Sequence, residues 1–443
     1  MGISAPPSST PAAPTSISAR TLAFDTLGAV LEQKRPLDDV LDGNPDRDRL
    51  APRDRGFARL LVATTLRRLG QIDRVIDGCL DKPLPRRAAA VRQLLRLGIC
   101  QLLFLDTPPH AAVDTAVELI AARDGGEAGF KGLINAILRR VDRERTAWLA
   151  QTTDPSLNVP AWLWDSWVAC YGVERAGAIA AAHLREPPLD LTAKNDAALW
   201  RDRLSATLLP TGSLRLPLDG LVESLPGFAE GAWWVQDAAA ALPVRLLGDV
   251  AGKRVIDLCA APGGKTAQLA AAGADVIAVD RSAARLERLH RNLTRLGLIA
   301  TTVVADATLW RPDQPADAVL LDAPCSATGT IRRHPDVSWL KQPHDVAKLA
   351  ALQARLLQAA IAMARAGGVV VFCTCSLQPE EGPAHIAELL RKNASVERLP
   401  IERSEVGDLD ALIDSHGDLR TLPCHLSEQG GIDGFFAARL RRR

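Results

Sequence analysis

Two stretches place a cysteine just past an apolar run that reads as a strand: "LLDAPCSATG" (Leu320–Gly329) and "VVFCTCSLQPEEG" (Val370–Gly382). Cys325 follows Asp322, Ala323 and Pro324, and Cys375 is flanked by Thr374 and Ser376. Both therefore stand in irregular chain, where function concentrates. A thiolate adds readily to electrophilic carbon and also leaves readily, which suits reversible covalent chemistry. The other cysteines, Cys79, Cys100, Cys170, Cys259, Cys373 and Cys424, are expected in the core, where free cysteine is common. None of the eight is spaced as a disulfide framework, and Cys373 and Cys375 make only C-x-C, so no metal site is expected. Free thiols imply a reducing, cytoplasmic setting.

A second set of residues lies at the ends of neighbouring strands. The first strand runs into "DLCAAPGGKT" (Asp257–Thr266), whose Gly263 and Gly264 let backbone approach a ligand closely, with a helix from about Lys265. The loop is neither G-x-G-x-x-G nor G-x-x-x-x-G-K, so a nucleoside without pyrophosphate fits better than a dinucleotide or nucleoside triphosphate. Asp280 ends the second strand and suits the two hydroxyls of a ribose. Asp306 and Asp322 end the third and fourth. A single aspartate after a strand is commonly a turn or cap residue. Four polar or glycine-rich ends around one crevice are better read as a site for S-adenosyl-L-methionine, which carries a ribose and an adenine but no phosphate.

A methyl donor beside two strand-end thiols suggests methylation of an unreactive carbon. Cytosine C5 is such a carbon, being a poor nucleophile. A thiolate adding at C6 makes C5 enamine-like, and elimination of the thiol after loss of the C5 proton completes the reaction.

The elements that must hold these residues follow from the rhythm of the chain. Residues from about 16 to 148 carry apolar positions at helical period and few stretches of strand composition. From about 155 to 240 the pattern is mixed, with helical "PAWLWDSWVACYG" and "ERAGAIAAAHL" and strand-like "LDLTAKN" and "GAWWVQD". After about 243 strands and helices alternate, the signature of a parallel, doubly wound sheet. The tail "DGFFAARL" (Asp433–Leu440) reads as an antiparallel edge strand. The expected organisation is a disordered leader over 1–15, an all-α domain over 16–150, a small α/β subdomain over 151–240 and an α/β catalytic domain over 241–443.

The leader is rich in Pro, Ser and Ala and has no charge before Arg20, unlike a secretory signal. The run Leu97–Leu105 is too short to span a membrane, so no membrane association is expected. The chain of 443 residues is nearly neutral, with 53 Lys+Arg against 52 Asp+Glu. Residues 1–150 hold 22 of those bases and 18 of those acids, a bias too small to argue for nucleic acid by itself.

At the strand ends the chain resembles the RNA cytosine-C5 methyltransferases of the Sun/Nop2 type. "DLCAAPGGKT", "DAPCSATG" and "CTCSLQPEE" are similar to that family's cofactor loop and its two cysteine motifs. "VDRS", "VVADAT", "DGFFAARL" and "WWVQDAAAALP" match as well. The front of the chain, through "RDRGFARLLVATTLRRL", "LLRLGICQLLFLDTPPHAAVDTAVEL" and "LINAILRRV", resembles the helical NusB-type RNA-binding domain. The two resemblances imply an N-terminal all-α NusB-like bundle, a small α/β subdomain and a C-terminal Rossmann-like methyltransferase. Its cofactor would be S-adenosyl-L-methionine and its partner 16S ribosomal RNA, with cytosine 967 as the target. A monomer is expected.

Carried over residue by residue, the resemblance implies that Cys259, Ala260, Ala261, Pro262, Gly263, Gly264 and Lys265 hold the cofactor. Asp280 would bind its ribose, Asp306 would lie by the adenine, and Asp322 would sit between cofactor and target base. Cys375 would be the nucleophile and Cys325 would assist product release. Arg332, Arg333 and His334, directly after the Cys325 loop, are expected to contact RNA. The arginines of the helical domain, such as Arg92, Arg96, Arg139 and Arg140, serve equally well as RNA contacts or as a solvated face.

Two rival readings remain open. DNA cytosine-C5 methyltransferases use the Pro-Cys cysteine as nucleophile and carry a target-recognition insertion, which is missing between Asp336 and Val370. A non-catalytic NusB-like RNA-binding factor would leave the cofactor loop and both cysteines without a role. Methylation of another rRNA or tRNA cytosine is the nearer alternative.

Overall fold

The computed structural model describes residues 18–123, 126–217 and 220–443, so the leader expected over 1–15 lies outside the described residues. The chain divides into two compact units, one up to Thr153 and one from Asp154 to Arg443.

The first unit is helical, with helices Ala19–Leu31, Leu37–Asp42, Pro52–Arg67, Leu69–Cys79, Ala89–Phe104, Pro109–Ala121, Lys131–Arg143 and Arg145–Gln151. The Ser18 hydroxyl caps the first by accepting from Thr21 N at 3.1 Å. The break at "DTPPH" is where one helix stops at Phe104 and the next begins on Pro109, whose missing N–H costs nothing in a first turn. Ala89–Phe104 is the central helix, with Val91, Leu94, Leu95, Ile99 and Cys100 all buried. Gly98 lets Lys131–Arg143 pack against it, because a Cβ at that position would stand 2.7 Å from a Leu138 methyl.

The second unit begins with helices Ala161–Tyr171 and Val173–His183 and a small antiparallel sheet. Its strands are β1 (Leu189–Ala193), β2 (Thr207–Leu208), β3 (Leu214–Leu216) and β4 (Trp233–Val235), in the order β2-β3-β1-β4. Asp190 and Arg215 form a buried bidentate pair across β1 and β3, at 2.6 and 2.7 Å.

The large sheet follows: β5 (Arg254–Leu258), β6 (Asp275–Asp280), β7 (Thr301–Val304), β8 (Ala316–Asp322), β9 (Ala364–Thr374), β10 (Val396–Arg398), β11 (Leu419–Thr421) and β12 (Phe435–Arg442). Its order is β10-β12-β9-β8-β5-β6-β7, with β11 also pairing β12. The run β9-β8-β5-β6-β7 is parallel, as the strand–helix rhythm predicts. Alternate residues feed the two faces. Ile256, Leu258, Val319, Leu321, Val370 and Phe372 pack with Leu356, Leu357 and Ala360 of helix Pro343–Met363. Val255, Ala318, Leu320, Val371 and Cys373 pack with Ala238 and Leu242 of helix Ala238–Arg245.

Helix Pro343–Met363 is long and apolar enough to cross a membrane by composition alone, but its apolar side is committed to this core. It ends five residues before Gly368, where the apolar pattern would carry it, because Ala364 already pairs with Ala316 in the sheet. The tail strand is antiparallel as expected, but it is not an edge. β12 is paired on one side with β9 over Phe436–Arg441 and on the other with β10 and β11.

Candidate active site

The chain leaves β5 to one side through β6 and β7, then returns to the other side through β8 and β9. Ligands of open α/β sheets bind at such a reversal, in the crevice outside the carboxyl ends of the strands. The loop after β5 is held from the β6 side. Cys259 turns it sharply with φ 61°. Ala260 N donates to Val279 O at 3.1 Å, and Ala261 N to Asp280 Oδ2 at 3.3 Å. Arg285 donates to Ala261 O, and Asn292 Nδ2 to Pro262 O at 3.2 Å. Gly263, at φ +104°, leads into helix Gly264–Ala271 and presses on Leu289 so closely that a Cβ would stand 2.7 Å from its Cγ.

A cleft opens beside this loop, with Val279, Leu352 and Leu356 as apolar walls and Cys259, Asp280 and Asp306 as polar lining. Asp280, only 3% exposed, also accepts from Ser282 N at 2.9 Å. Asp306 accepts from Thr308 Oγ1 at 2.7 Å and from Thr308 N at 2.9 Å, and these bonds hold its carboxyl below the usual range. Two carboxylates beside an apolar slot match the hydroxyl donors of a ribose and the flat face of a base. The donor set therefore fits a nucleoside-bearing cofactor.

Lys265 points away from this cleft. Its ammonium lies 2.8 Å from Asp322 Oδ2, at the end of β8, and 4.8 Å from the centre of the Phe435 ring. Burial opposes its charge, but the Asp322 carboxylate, together with Cys373 and Cys375, outweighs burial and the Lys265 pKa is raised. Behind it Asp257 is fully buried, with Thr266 Oγ1 donating to Oδ2 at 2.6 Å and no partner on Oδ1. Burial pushes its carboxyl up to about 7. Burial, with Asp322, Asp280 and Asp257 nearby, pushes the Cys259 thiol up to about 12. Cys373 donates to Asp322 Oδ1 at 3.6 Å, and burial followed by that carboxylate raises its thiol well above the ordinary value. Cys259 and Cys373 are thus kept as unreactive thiols.

The two remaining strand-end cysteines meet. The parallel register of β8 and β9 sets Asp322 opposite Cys373, so both chains leave the sheet at one level. Ala323 N donates to Cys373 O at 2.9 Å and Gly329 N to Cys375 O at 2.9 Å. The Sγ atoms of Cys325 and Cys375 are 3.4 Å apart, and both residues are half-buried. The bond to Cys375, and then burial, pushes the Cys325 thiol well above its ordinary value.

The structure therefore gathers the predicted residues into two adjoining groups: Cys259, Asp280 and Asp306 on the cleft, and Lys265, Asp322, Cys325 and Cys375 beyond it. Pro324 lines the cleft and precedes Cys325 in the chain, linking the two. Cys259 corrects one expectation, since β5 ends at Leu258 and Cys259 lies in the loop, lining the cleft. Cys170 corrects another, being exposed, whereas Cys100 and Cys373 are buried as expected. Among the described residues no group of three or more His, Cys, Asp or Glu is placed to hold a metal.

The expectation of RNA contact at Arg332 and Arg333 is overturned. Arg332, 1% exposed, donates to Asp433 Oδ1 at 2.8 Å. Arg333 binds Asp237 Oδ2 at 2.6 Å and Asp433 Oδ2 at 3.3 Å. Both guanidinium groups hold the Cys325 loop to distant chain, and of the three residues only His334 is exposed. On the helical unit several of the arginines are ion-paired: Arg96 with Asp73 at 2.6 Å, Arg92 with Asp77 at 2.8 Å and Arg140 with Glu144 at 3.0 Å. Two residues escaped the sequence reading, Asp257 and Glu381. Both lie within the quoted motifs, but only the fold shows that they are buried against Ser and Thr hydroxyls.

Residues 244–441 match the family described as 16S rRNA methyltransferase RsmB/F, and residues 17–143 match the NusB family. The ribosomal RNA small subunit methyltransferase B of Salmonella arizonae is 37% identical over 443 residues, covering 96% of this chain and 98% of that one. The protein of that name from Shigella sonnei is 36% identical over 396 residues, covering 85% and 91%. Among solved structures, that of PH0851 aligns over 96% of this chain and 99% of that one, with a TM-score of 0.74 and 22% identity. NSun6 from Pyrococcus horikoshii, solved with SFG, aligns over 64% of this chain and 98% of that one, with a TM-score of 0.55 and 21% identity. At these identities the two structures support the fold.

Proposed function

The chain belongs to the RsmB/F family of 16S rRNA methyltransferases, and from that premise we propose that it methylates C5 of a cytosine in 16S rRNA through a transient bond between Cys375 and C6. Cytosine 967 is the target we assign. The observation that carries the reading is the 3.4 Å approach of the Cys325 and Cys375 sulfurs beside the nucleoside cleft.

S-adenosyl-L-methionine is the cofactor and supplies an electrophilic methyl group. The loop Cys259–Lys265 would hold it, with Asp280 accepting from its ribose hydroxyls and Asp306 beside its adenine. Asp322 is fixed by Lys265 and remains partly exposed at the crevice, and a carboxylate there accepts from the exocyclic amine of cytosine. That contact would select cytosine over uracil, which offers no donor at this position.

Solvent water takes the proton of the Cys375 thiol, the sulfur bonds to C6, and the C5–C6 π pair moves to C5. The protonated Cys325 thiol donates toward the Cys375 sulfur and stabilises the thiolate before attack. Once C5 carries the methyl group, its proton must leave. Cys325, still protonated, positions the water that accepts that proton. The C5–H pair then re-forms the C5–C6 double bond, and the sulfur–C6 bond breaks to return the Cys375 thiolate.

The test is methyl transfer from S-adenosyl-L-methionine to small-subunit rRNA by the purified protein, with the modified nucleoside identified by mass spectrometry. 5-Methylcytidine at one position supports the reading. A methyl group on the ribose, or on any ring nitrogen, would sink it.

A further inference from the structure

Below the two thiols lies a buried carboxylate that the chemistry above does not use. Glu381 ends the short turn Pro379–Glu381 and is fully buried. Its Oε1 accepts from Ser326 N at 2.9 Å and from Gln353 Nε2 at 3.1 Å. Its Oε2 accepts from Ser376 Oγ at 2.6 Å and from Ser326 Oγ. Its own carbonyl oxygen accepts from Thr374 Oγ1 at 2.9 Å. Ser326 follows Cys325 in the chain and Ser376 follows Cys375, so one carboxylate ties together the residues next to both sulfurs.

We propose that Glu381 is the positioning residue that sets the spacing of Cys325 and Cys375. The proposal rests on the assignment of those cysteines to the reaction. Glu381 touches neither sulfur, so it acts through Ser326 and Ser376. Gln353 extends the tie by also donating to Pro324 O at 2.8 Å, the residue before Cys325. His385 Nε2 lies 2.9 Å from Gln353 Oε1 and fixes that amide in turn. Both cysteine loops are irregular chain, joined by the weak contact between the sulfurs and by neutral bonds such as Gly329 N to Cys375 O at 2.9 Å and Leu377 N to Thr328 Oγ1 at 3.0 Å. The charge-assisted bonds between the loops converge on Glu381, and bonds of this kind hold geometry best.

Reach, more than charge, is what this role demands. Glutamine spans the same distance and keeps one acceptor oxygen, while the serine hydroxyls can turn to accept from its amide. Aspartate keeps the charge but is one methylene short of spanning both loops. Glu381→Gln should therefore retain most activity. Glu381→Asp and Glu381→Ala should lose about a hundredfold in kcat, the scale of a misplacement near 1 Å. KM for rRNA and for cofactor should stay within about threefold, since no substrate contact is removed.

Phenylarsine oxide supplies a readout independent of methyl transfer. It bonds to two neighbouring sulfurs, releasing one water from its oxygen and the two thiol protons. The probe should bind wild type and Glu381→Gln equally, and the Asp and Ala variants at least about tenfold more weakly, with Cys325→Ala as the control that removes the site. Equal arsenical affinity in all four would overturn the proposal, as would an active Asp variant beside an inactive Gln variant. If the arsenical order holds but no cytosine is methylated, the positioning role stands and the reaction assignment fails.

Discussion

Lys265 Nζ and Asp322 Oδ2 are 2.8 Å apart, and this pair joins the loop after β5 to the end of β8 across the point where the sheet order reverses. Neither group is free to move, because Lys265 is 8% exposed and lies against the Phe435 ring. The lysine thus fixes the carboxylate at the end of β8.

Lys265→Met should lower stability by about 1–3 kcal/mol, between the values for exposed and fully buried pairs. The raised Lys265 pKa contributes stability that is fully present below its unfolded value near 10.4 and is lost only as pH rises beyond it. The loss in Tm should accordingly be the same at pH 6 and pH 8, by calorimetry. A loss confined to one of these pH values would assign the effect elsewhere.

Cys375→Ala should abolish methyl transfer and leave cofactor affinity nearly unchanged by titration calorimetry. Cys325→Ala should accumulate a covalent protein–RNA complex, seen as a slow band on a denaturing gel. Cys375→Ala and the double variant should show no such band. The reverse pattern would make Cys325 the nucleophile.

Asp280→Ala should weaken cofactor binding by about 1–3 kcal/mol, the range for a lost charge-assisted hydrogen bond. An unchanged dissociation constant would reduce Asp280 to the anchor of Ala261 N and Ser282 N.

Asp257 gives a pH signature. Its carboxyl is raised from its unfolded value to about 7, so the folded state binds the extra proton and stability falls as pH rises from about 4 to 7. Asp257→Asn removes that slope while keeping an acceptor for Thr266. The variant should gain on wild type between pH 5 and pH 8 by on the order of 3 kcal/mol, by urea denaturation at the two pH values. Parallel pH profiles would show that Asp257 does not titrate in this range.

Arg333→Ala should act on stability and leave RNA contact alone. Removing the sole partner of a buried charge costs about 3–5 kcal/mol, and the loss here should fall below that, because Arg332 still pairs with Asp433 and Asp237. Where the variant remains folded, the salt dependence of its RNA affinity should match wild type. A shallower salt slope would restore Arg333 as a phosphate contact.

What was legible in the sequence was local. Cys325, Cys375 and the loop from Cys259 to Lys265 announce themselves by standing at strand ends among small and polar residues, and the strand–helix rhythm places those ends in one crevice. Arg332 and Arg333 were misread because their partners, Asp190, Asp237 and Asp433, are some hundred or more residues away along the chain, and no periodicity reports such a pairing. Glu381 was passed over for the same reason. In "LQPEEG" it looks like an ordinary acidic residue at the start of a helix, and only the fold brings Ser326 to it. The tail strand showed its direction through its composition but not its place, because whether a strand is an edge depends on neighbours elsewhere in the chain.

β12 pairs along the edge of β9, the strand that delivers Cys375. β12 is also the last of these strands to be made, and until it exists β9 has a bare edge toward β10 and β11. The thiol of Cys375 is therefore translated long before the sheet that aims it can close. A partly synthesised chain carries both cysteines and the Cys259–Lys265 loop before β12 has paired with β9. Completion of the sheet around β9 is therefore a late event in synthesis.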